Sequence, residues 1–206
     1  EAASTSGSYY VASNAGPVKT LVSAMAYQFE GGWQMTLPKL EKLGPVDFKF
    51  LYAQGSGDKP SSADTDESFA APLAGAFNGI ERVGWGALLG ANAYSILSAS
   101  GTWNGLPQGL SGVTTFGFSF LSKHYEVFKI PLRFGAGRYE YRATQTTGRA
   151  KALGGEWDLS MTSQLKERIN GTFTFYNFTP GTAYEVEGNK PDSISGIKAL
   201  VSLTFE

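Results

Sequence analysis

The sequence predicts an all-β fold: an antiparallel transmembrane β-barrel with about seven or eight strands in this chain. The first observation is the C-terminal segment 197–205, whose apolar residues alternate with polar ones and share one face: Ile197, Ala199, Val201, Leu203 and Phe205. The second is composition, with 14% aromatic and only 17% charged residues, against roughly 25% charged in ordinary soluble domains. The third is that no run approaches the roughly 18 apolar residues that a membrane helix needs.

The same period of two recurs upstream and predicts further strands. At 156–165 apolar side chains alternate with acidic and hydroxyl ones, and 46–52 and 113–120 show aromatic alternation. We expect strands also at 8–13, 18–30, 172–178 and, as one continuous strand, 127–142. Pro131 cannot donate to a strand ladder, so a bulge is predicted there, and Asn170-Gly171 is predicted to form a turn.

The connections predict a single barrel domain over residues 1–206. Short connections at 122–125 and 166–170 alternate with long ones at 57–110, 144–152 and 179–192, an asymmetry typical of outer-membrane barrels. The stretch 57–110 is interpreted as one long extracellular loop, part of which folds against the barrel mouth or into the lumen. The alternative is an extra hairpin at about 82–97. Residues 37–43 are expected to form a single helical turn.

Several function classes are disfavoured by what the sequence contains. There is no cysteine, hence no thiol catalysis or thiolate metal site, and a net charge of −1 does not suggest a nucleic-acid partner. The single histidine, His124, lies in a predicted turn without an acid-base or nucleophilic partner. Four acidic residues do not follow the spacing of a calcium-binding loop: Asp58, Asp64, Asp66 and Glu67. We therefore expect no enzyme, catalytic residue, metal or cofactor.

The alternation instead predicts a set of charged side chains that line the inside of the barrel: Asp47, Lys49, Lys129, Arg133, Glu156, Asp158 and Lys198. Mixed signs across a lumen create a polar path for small hydrated solutes, and rings of charge set the selectivity of pores. The alternative is a plugged core in which these charges neutralise one another, because buried charges must be paired.

Aromatic residues near the predicted strand ends suggest an interfacial girdle facing lipid, because Trp and Tyr concentrate at membrane interfaces. These residues are Trp33, Tyr52, Tyr139, Tyr141, Trp157 and Tyr176. A soluble core would use the same residue types. The predicted partners are thus the lipid of a Gram-negative outer membrane and small polar solutes.

Three segments taken together resemble the alginate-export family of outer-membrane porins. Residues 51–58 form a strand that ends in a Gly-Asp loop, followed by Phe-Ala-Ala-Pro-Leu at 69–73. Residues 152–165 are similar to the family's penultimate hairpin, and 173–184 to an aromatic strand that runs into a Pro-Gly loop. The resemblance covers about residues 46–206 and corresponds to the C-terminal half of such a barrel.

This resemblance implies a porin-like channel for passive diffusion or export of small polar or anionic solutes. The family's barrels have many more strands, and an aqueous pore needs roughly 16, whereas side chains fill a barrel of about eight. The chain is therefore expected to be part of a larger barrel, joined by other barrel-forming segments or a partner chain, or a small barrel that does not conduct. The other hypotheses are a non-conducting scaffold barrel that docks a partner, and a secreted soluble β-sandwich or ligand-binding barrel.

Overall fold

The computed structural model describes residues 2–13, 16–36, 44–59, 61, 64–69, 86–88, 106–123, 125–166 and 169–203. In these residues the fold is all-β. The strands are β1 Ala2–Ser13, β2 Gly16–Thr36, β3 Pro45–Gly55, β4 Thr65–Asp66, β5 Leu110–Leu121, β6 Tyr125–Val127, β7 Ile130–Thr146, β8 Ala152–Lys166, β9 Ile169–Pro180 and β10 Ile194–Leu203. A single 3-10 turn, Thr182–Tyr184, lies between β9 and β10.

The strands form one sheet in the spatial order β1-β2-β3-β5-β7-β8-β9-β10. Every neighbouring pair along this path is antiparallel, so the chain meanders up and down. Two short strands lie off the path: β6 pairs antiparallel with β7, and β4 pairs parallel with β2. The prediction of antiparallel β structure is confirmed, and the predicted strands correspond to β1, β2, β3, β5, β7, β8, β9 and β10.

The sheet is not closed into a barrel in this structure. Strands β1 and β10 are its two edges, and no pairing joins them within the described ranges. Among the residues described, no helix combines the length and the apolar character required to cross a membrane.

The antiparallel register gives the sheet two chemically different faces. One row runs in register across seven strands, from β2 to β10: Trp33, Phe48, Phe120, Ala136, Leu159, Phe175 and Ile197. We call the face that carries it the aromatic face. The next row lies on the opposite side, here named the polar face: Gln34, Asp47, Leu121, Gly135, Ser160, Thr174 and Lys198.

The aromatic face is exposed in the part of the chain that the structure describes. Phe116 is 45% exposed, Leu159 56% and Val201 64%, values far above those of side chains packed under a second layer. Its rings contact one another along the surface: Trp33 stacks on Phe48 at 5.7 Å, and Phe50 meets Phe116 edge-on at 5.3 Å between ring centroids. Cross-strand aromatic pairs of this kind contribute roughly 0.2–1 kcal/mol each to a sheet.

The buried core lies on the other side, at one end of the polar face. Its most buried large members come from three strands, β5, β7 and β8: Leu110, Val113, Tyr141 and Leu153. Phe69, Leu106 and Ala183 pack on them from the connections. The connections 56–109, 147–151 and 181–193 all leave the sheet at this end, and loop residues supply the second layer over the core. Two of these connections are long, as expected, whereas the one expected at 144–152 is short because β7 continues to Thr146.

Three local predictions are wrong. Residues 127–142 are not one strand, since Phe128 and Lys129 have positive φ of 53° and 64° and form a turn between β6 and β7. The register shift in β7 is at Tyr141/Arg142 and not at Pro131, which pairs with Glu126. Asn170-Gly171 lies inside β9, which begins at Ile169. The predicted helical turn at 37–43, His124, and all of the alternative hairpin at 82–97 except residues 86–88 lie outside the described residues.

Close contact across the polar face predicts that Gly117→Ala destabilises the sheet. A Cβ at Gly117 lies 2.4 Å from the ring of Tyr139 and 3.0 Å from the carbonyl oxygen of Arg138, so ring and backbone must both move, at a cost of about 1–3 kcal/mol. Gly171→Ala in β9 is the matched control, because a Cβ there meets nothing within 4 Å; its expected effect is neutral, or stabilising by roughly 0.5–1 kcal/mol. Denaturant titration of the refolded variants measures both, and equal stabilities contradict the packing.

Candidate functional site

Six of the seven predicted inward charges lie on the polar face. Asp47 and Lys198 belong to one row of that face, while Lys49 and Asp158 belong to the next. The remaining two, Arg133 and Glu156, occupy positions of the same parity on β7 and β8. Lys129 does not lie in this set, because it is part of the turn between β6 and β7 and its side chain is exposed there.

The first feature of the site is an ion pair near the end of the sheet that carries the short connections. Arg133 Nη2 lies 3.6 Å from Asp47 Oδ2, across the intervening strand β5. Asp47 Oδ1 also accepts a hydrogen bond from Gln34 Nε2 at 2.8 Å, and Arg133 Nε donates to the Ser122 carbonyl at 3.2 Å. The two side chains remain 42% and 30% exposed, so this polar group lies at an accessible part of the face.

The second feature is a pair of carboxylates on β8 that binds a segment of the long connection between β4 and β5. Glu156 is fully buried, and its Oε1 accepts a hydrogen bond from the backbone N–H of Leu88 at 2.6 Å. The neighbouring inward carboxylate, Asp158, accepts one from the backbone of Ala87. Two consecutive backbone amides are thus held by two carboxylates that project from the same strand face.

Tyr141 and Gly86 complete this contact. The Tyr141 hydroxyl donates to Glu156 Oε2 at 3.3 Å. Gly86 has φ of +108°, and a Cβ there comes within 2.3 Å of the Tyr141 hydroxyl and 2.9 Å of Glu156 Oε2. Only glycine allows the segment to approach the sheet this closely. Residues 86–88 of the long connection therefore lie against the polar face of the sheet.

The predicted aromatic girdle divides between the two faces. Trp33, Tyr52 and Trp157 lie on the aromatic face, and the Arg138 guanidinium carbon is 5.1 Å from the centroid of the Trp157 ring. The prediction is wrong for the other three: Tyr139 pairs with Glu156, Tyr176 pairs with Asp158, and Tyr141 is a core residue. Side-chain alternation places these three on the polar face, although they lie near strand ends.

The acidic residues of the long connection are engaged in local contacts. Asp58 Oδ1 accepts from the Glu67 N–H at 3.4 Å, and Asp66 Oδ1 accepts from the Ser68 N–H at 2.8 Å. Burial raises the pKa of Asp58, with Asp66 adding to the rise and the Glu67 backbone N–H opposing it. No cluster of three or more potential metal ligands occurs in the described part of the chain.

Sequence reasoning missed the contribution of the backbone to this site. Ala87 and Leu88 act through their N–H groups, which no side-chain pattern reveals, and Gln34 lies in a strand whose faces the sequence left unassigned. The one available signal was Gly86, which lies in a glycine-rich apolar stretch where close backbone approach is common.

The arrangement is suited to holding a loop and presenting mixed charges to solutes, and no acid-base or nucleophilic constellation emerges from the described residues. Comparison with protein-family models and with curated proteins finds no match to this chain. The resemblance of residues 46–206 to the alginate-export family therefore stays a prediction from the sequence.

The carboxylate contact predicts that Glu156→Ala exposes the backbone amide of Leu88. A hydrogen bond to a charged group is worth about 1.5–3 kcal/mol, so exchange of this amide with deuterium should quicken about tenfold or more. Mass spectrometry of a peptide that covers residues 86–88 provides the measurement. Glu140→Ala is the control, because Glu140 pairs with Arg138 on the opposite face; unchanged protection in Glu156→Ala contradicts the assigned role.

Proposed function

We propose that the chain forms an outer-membrane β-barrel, or part of one, and acts as a porin-like channel for passive diffusion or export of small polar or anionic solutes. No bond is made or broken in this function. In this function the side chains that line the passage and the loop that narrows it select which solutes pass.

One observation carries the proposal: the aromatic face is exposed across seven strands, while six of the seven predicted inward charges lie on the polar face. Soluble proteins seldom expose contiguous apolar patches beyond a few hundred Å² without a partner for them. A bilayer is such a partner, because barrel strands turn apolar side chains to the lipid and polar ones to the lumen. Phe118, Phe173 and Ile197, at 48%, 52% and 74% exposure, supply the lipid contact in this proposal.

The two edge strands of the sheet, β1 and β10, need pairing partners if the sheet lies in a membrane. In hydrocarbon, every unpaired backbone N–H or C=O costs several kcal/mol, so an open sheet edge is not tolerated there. Strands β1 and β10 must therefore pair in the membrane, either with each other or with strands of a larger barrel. The second arrangement agrees with the resemblance to large porins, and it provides the lumen width that an aqueous pore needs.

The polar face suits the passage of hydrated solutes. Asp47 and Arg133 form an ion pair on it and Lys198 adds a further cation, and such mixed charge gives a transverse field that orients polar molecules. Residues 86–88 lie on the same face against Glu156. In a closed barrel this segment narrows the passage from inside and restricts the size of the solute.

A non-conducting barrel that acts as a scaffold for a partner at the outer membrane is a second candidate function, and a separate observation supports it. Phe69, Leu106 and Ala183 already cover the polar face at the end with the long connections, and segment 86–88 adds to this layer. If the barrel contains only these strands, side chains fill its interior. The third hypothesis, a soluble sandwich or ligand-binding barrel, needs a layer over the aromatic face, and the described residues contain none.

Substitutions at two adjacent residues of β9 test whether the aromatic face contacts lipid or water. Phe175→Asp places a charge on the proposed lipid side, where it costs about 1–3 kcal/mol, and we expect loss of the heat-modifiable folded band in lipid vesicles. Thr174→Asp is the control, because this residue points to the polar face beside Lys198. If the protein is soluble instead, Phe175→Asp should change its stability little, because Phe175 is already 46% exposed to water. The wild-type protein should then also stay in solution without detergent.

Conductance separates the pore from the scaffold. Wild-type protein added to a planar bilayer should give discrete current steps, and Glu156→Ala should give larger or noisier steps because the segment at 86–88 is no longer held by the carboxylate. Incorporation is checked by flotation with vesicles. Protein that floats but leaves the bilayer silent contradicts the channel and supports the scaffold.

A further inference from the structure

A polar groove interrupts the aromatic face at the end of the sheet with the long connections. One cleft there has a volume of about 440 Å³ and is lined by two cations, four neutral hydrogen-bonding side chains and two alanines: Arg142, Lys151, Gln54, Thr114, Thr144, Thr182, Ala143 and Ala152. No carboxylate lines it. A second cleft of about 390 Å³ adjoins it and shares Gln54 and Thr144; its lining also includes Lys59 and Glu67, which form an ion pair with each other. We call the two together the rim groove.

The donors of the rim groove are oriented by their neighbours. The hydroxyls of Tyr27 and Tyr52 both donate to Gln54 Oε1, at 2.8 and 2.9 Å, which leaves the side-chain amide hydrogens of Gln54 as donors. Lys151 Nζ donates to the Thr144 carbonyl at 2.8 Å and retains two further donors. Arg142 has an exposed side chain and no ion pair within the described residues. The cleft therefore offers convergent positive charge and neutral donors.

Register places this groove on the aromatic face. Gln54 pairs with Thr114, and Thr114 pairs with Arg142, one step along the strands beyond the row of Tyr52, Phe116 and Glu140. The positive cleft thus borders directly on the exposed aromatic surface. A ligand that fills both must carry an anionic group at one end and an apolar portion at the other.

We propose that the rim groove binds the phosphate head group of an anionic lipid whose acyl chains lie along the aromatic face. The inference rests on the proposed function, because it requires that this face contact a bilayer. Arg and Lys bind phosphate oxygens by charge-assisted hydrogen bonds, and the guanidinium does so through two parallel bonds. The Gln54 amide is available to the hydroxyls or esters of the head group, whereas the Thr144 hydroxyl already donates to the Gly55 carbonyl and is hydrogen-bonded to Thr114. A free phosphate can bind the same two cations but gains nothing from the aromatic surface.

The test measures lipid binding to the purified chain in detergent micelles by native mass spectrometry. The probes are phosphatidylglycerol, which is anionic, and phosphatidylcholine, which is zwitterionic. The test variant is Arg142→Gln/Lys151→Gln. The matched control is Arg149→Gln/Lys190→Gln, which removes two charges at the same end of the sheet from residues that do not line the groove.

We expect wild type and control to bind phosphatidylglycerol about tenfold or more tightly than phosphatidylcholine, and the test variant to lose that preference. An equal preference in all three proteins overturns the site. Displacement of the lipid by excess inorganic phosphate overturns the lipid as ligand and assigns the groove to a free anion.

Flotation with phosphatidylcholine vesicles separates this inference from the function on which it rests. If all three proteins float, an absent lipid preference refutes the rim groove alone. If the wild type stays with the soluble fraction, the proposed membrane function fails and the lipid site fails with it.

Discussion

Antiparallel pairing in register from β2 to β10 assigns each side chain of this sheet to one of two faces, and the other features of the molecule follow from that assignment. Because the side-chain period of a strand is two, a slip of one residue in any pair exchanges the faces. Trp33, Phe120 and Phe175 share a row, as do Asp47, Ser160 and Lys198. The register therefore concentrates apolar surface on one side and charge on the other.

The polar face combines two kinds of structure. At the end with the long connections, Leu110, Leu153 and Tyr141 form a buried core under residues contributed by the loops. Farther along, the Asp47–Arg133 pair stays accessible. Glu156 lies between these regions, and its carboxylate is buried because the backbone of Leu88 and the hydroxyl of Tyr141 satisfy it. A buried charge is tolerated only with such partners, so the loop contact and the carboxylate depend on each other.

At the end of the sheet with the long connections, the aromatic face carries charged residues. Arg138 lies over Trp157 and pairs with Glu140, and Arg142 lines the rim groove beyond them. Apolar surface followed by a band of tyrosine, arginine and lysine is the order in which a protein meets the hydrocarbon and then the head groups of a bilayer. The proposed channel and the proposed lipid site both follow from this order.

The two faces of β3, β5 and β8 could be predicted from the sequence, because alternation in 46–52, 113–120 and 156–165 directly reports which side chains share a side. It also placed six of the seven inward charges on one face. The turn at Phe128-Lys129, the core position of Tyr141 and the contact of Ala87 and Leu88 with β8 became known only from the folded structure. These depend on positive φ, on loop residues distant in sequence and on backbone amides, and side-chain periodicity carries no information about any of the three.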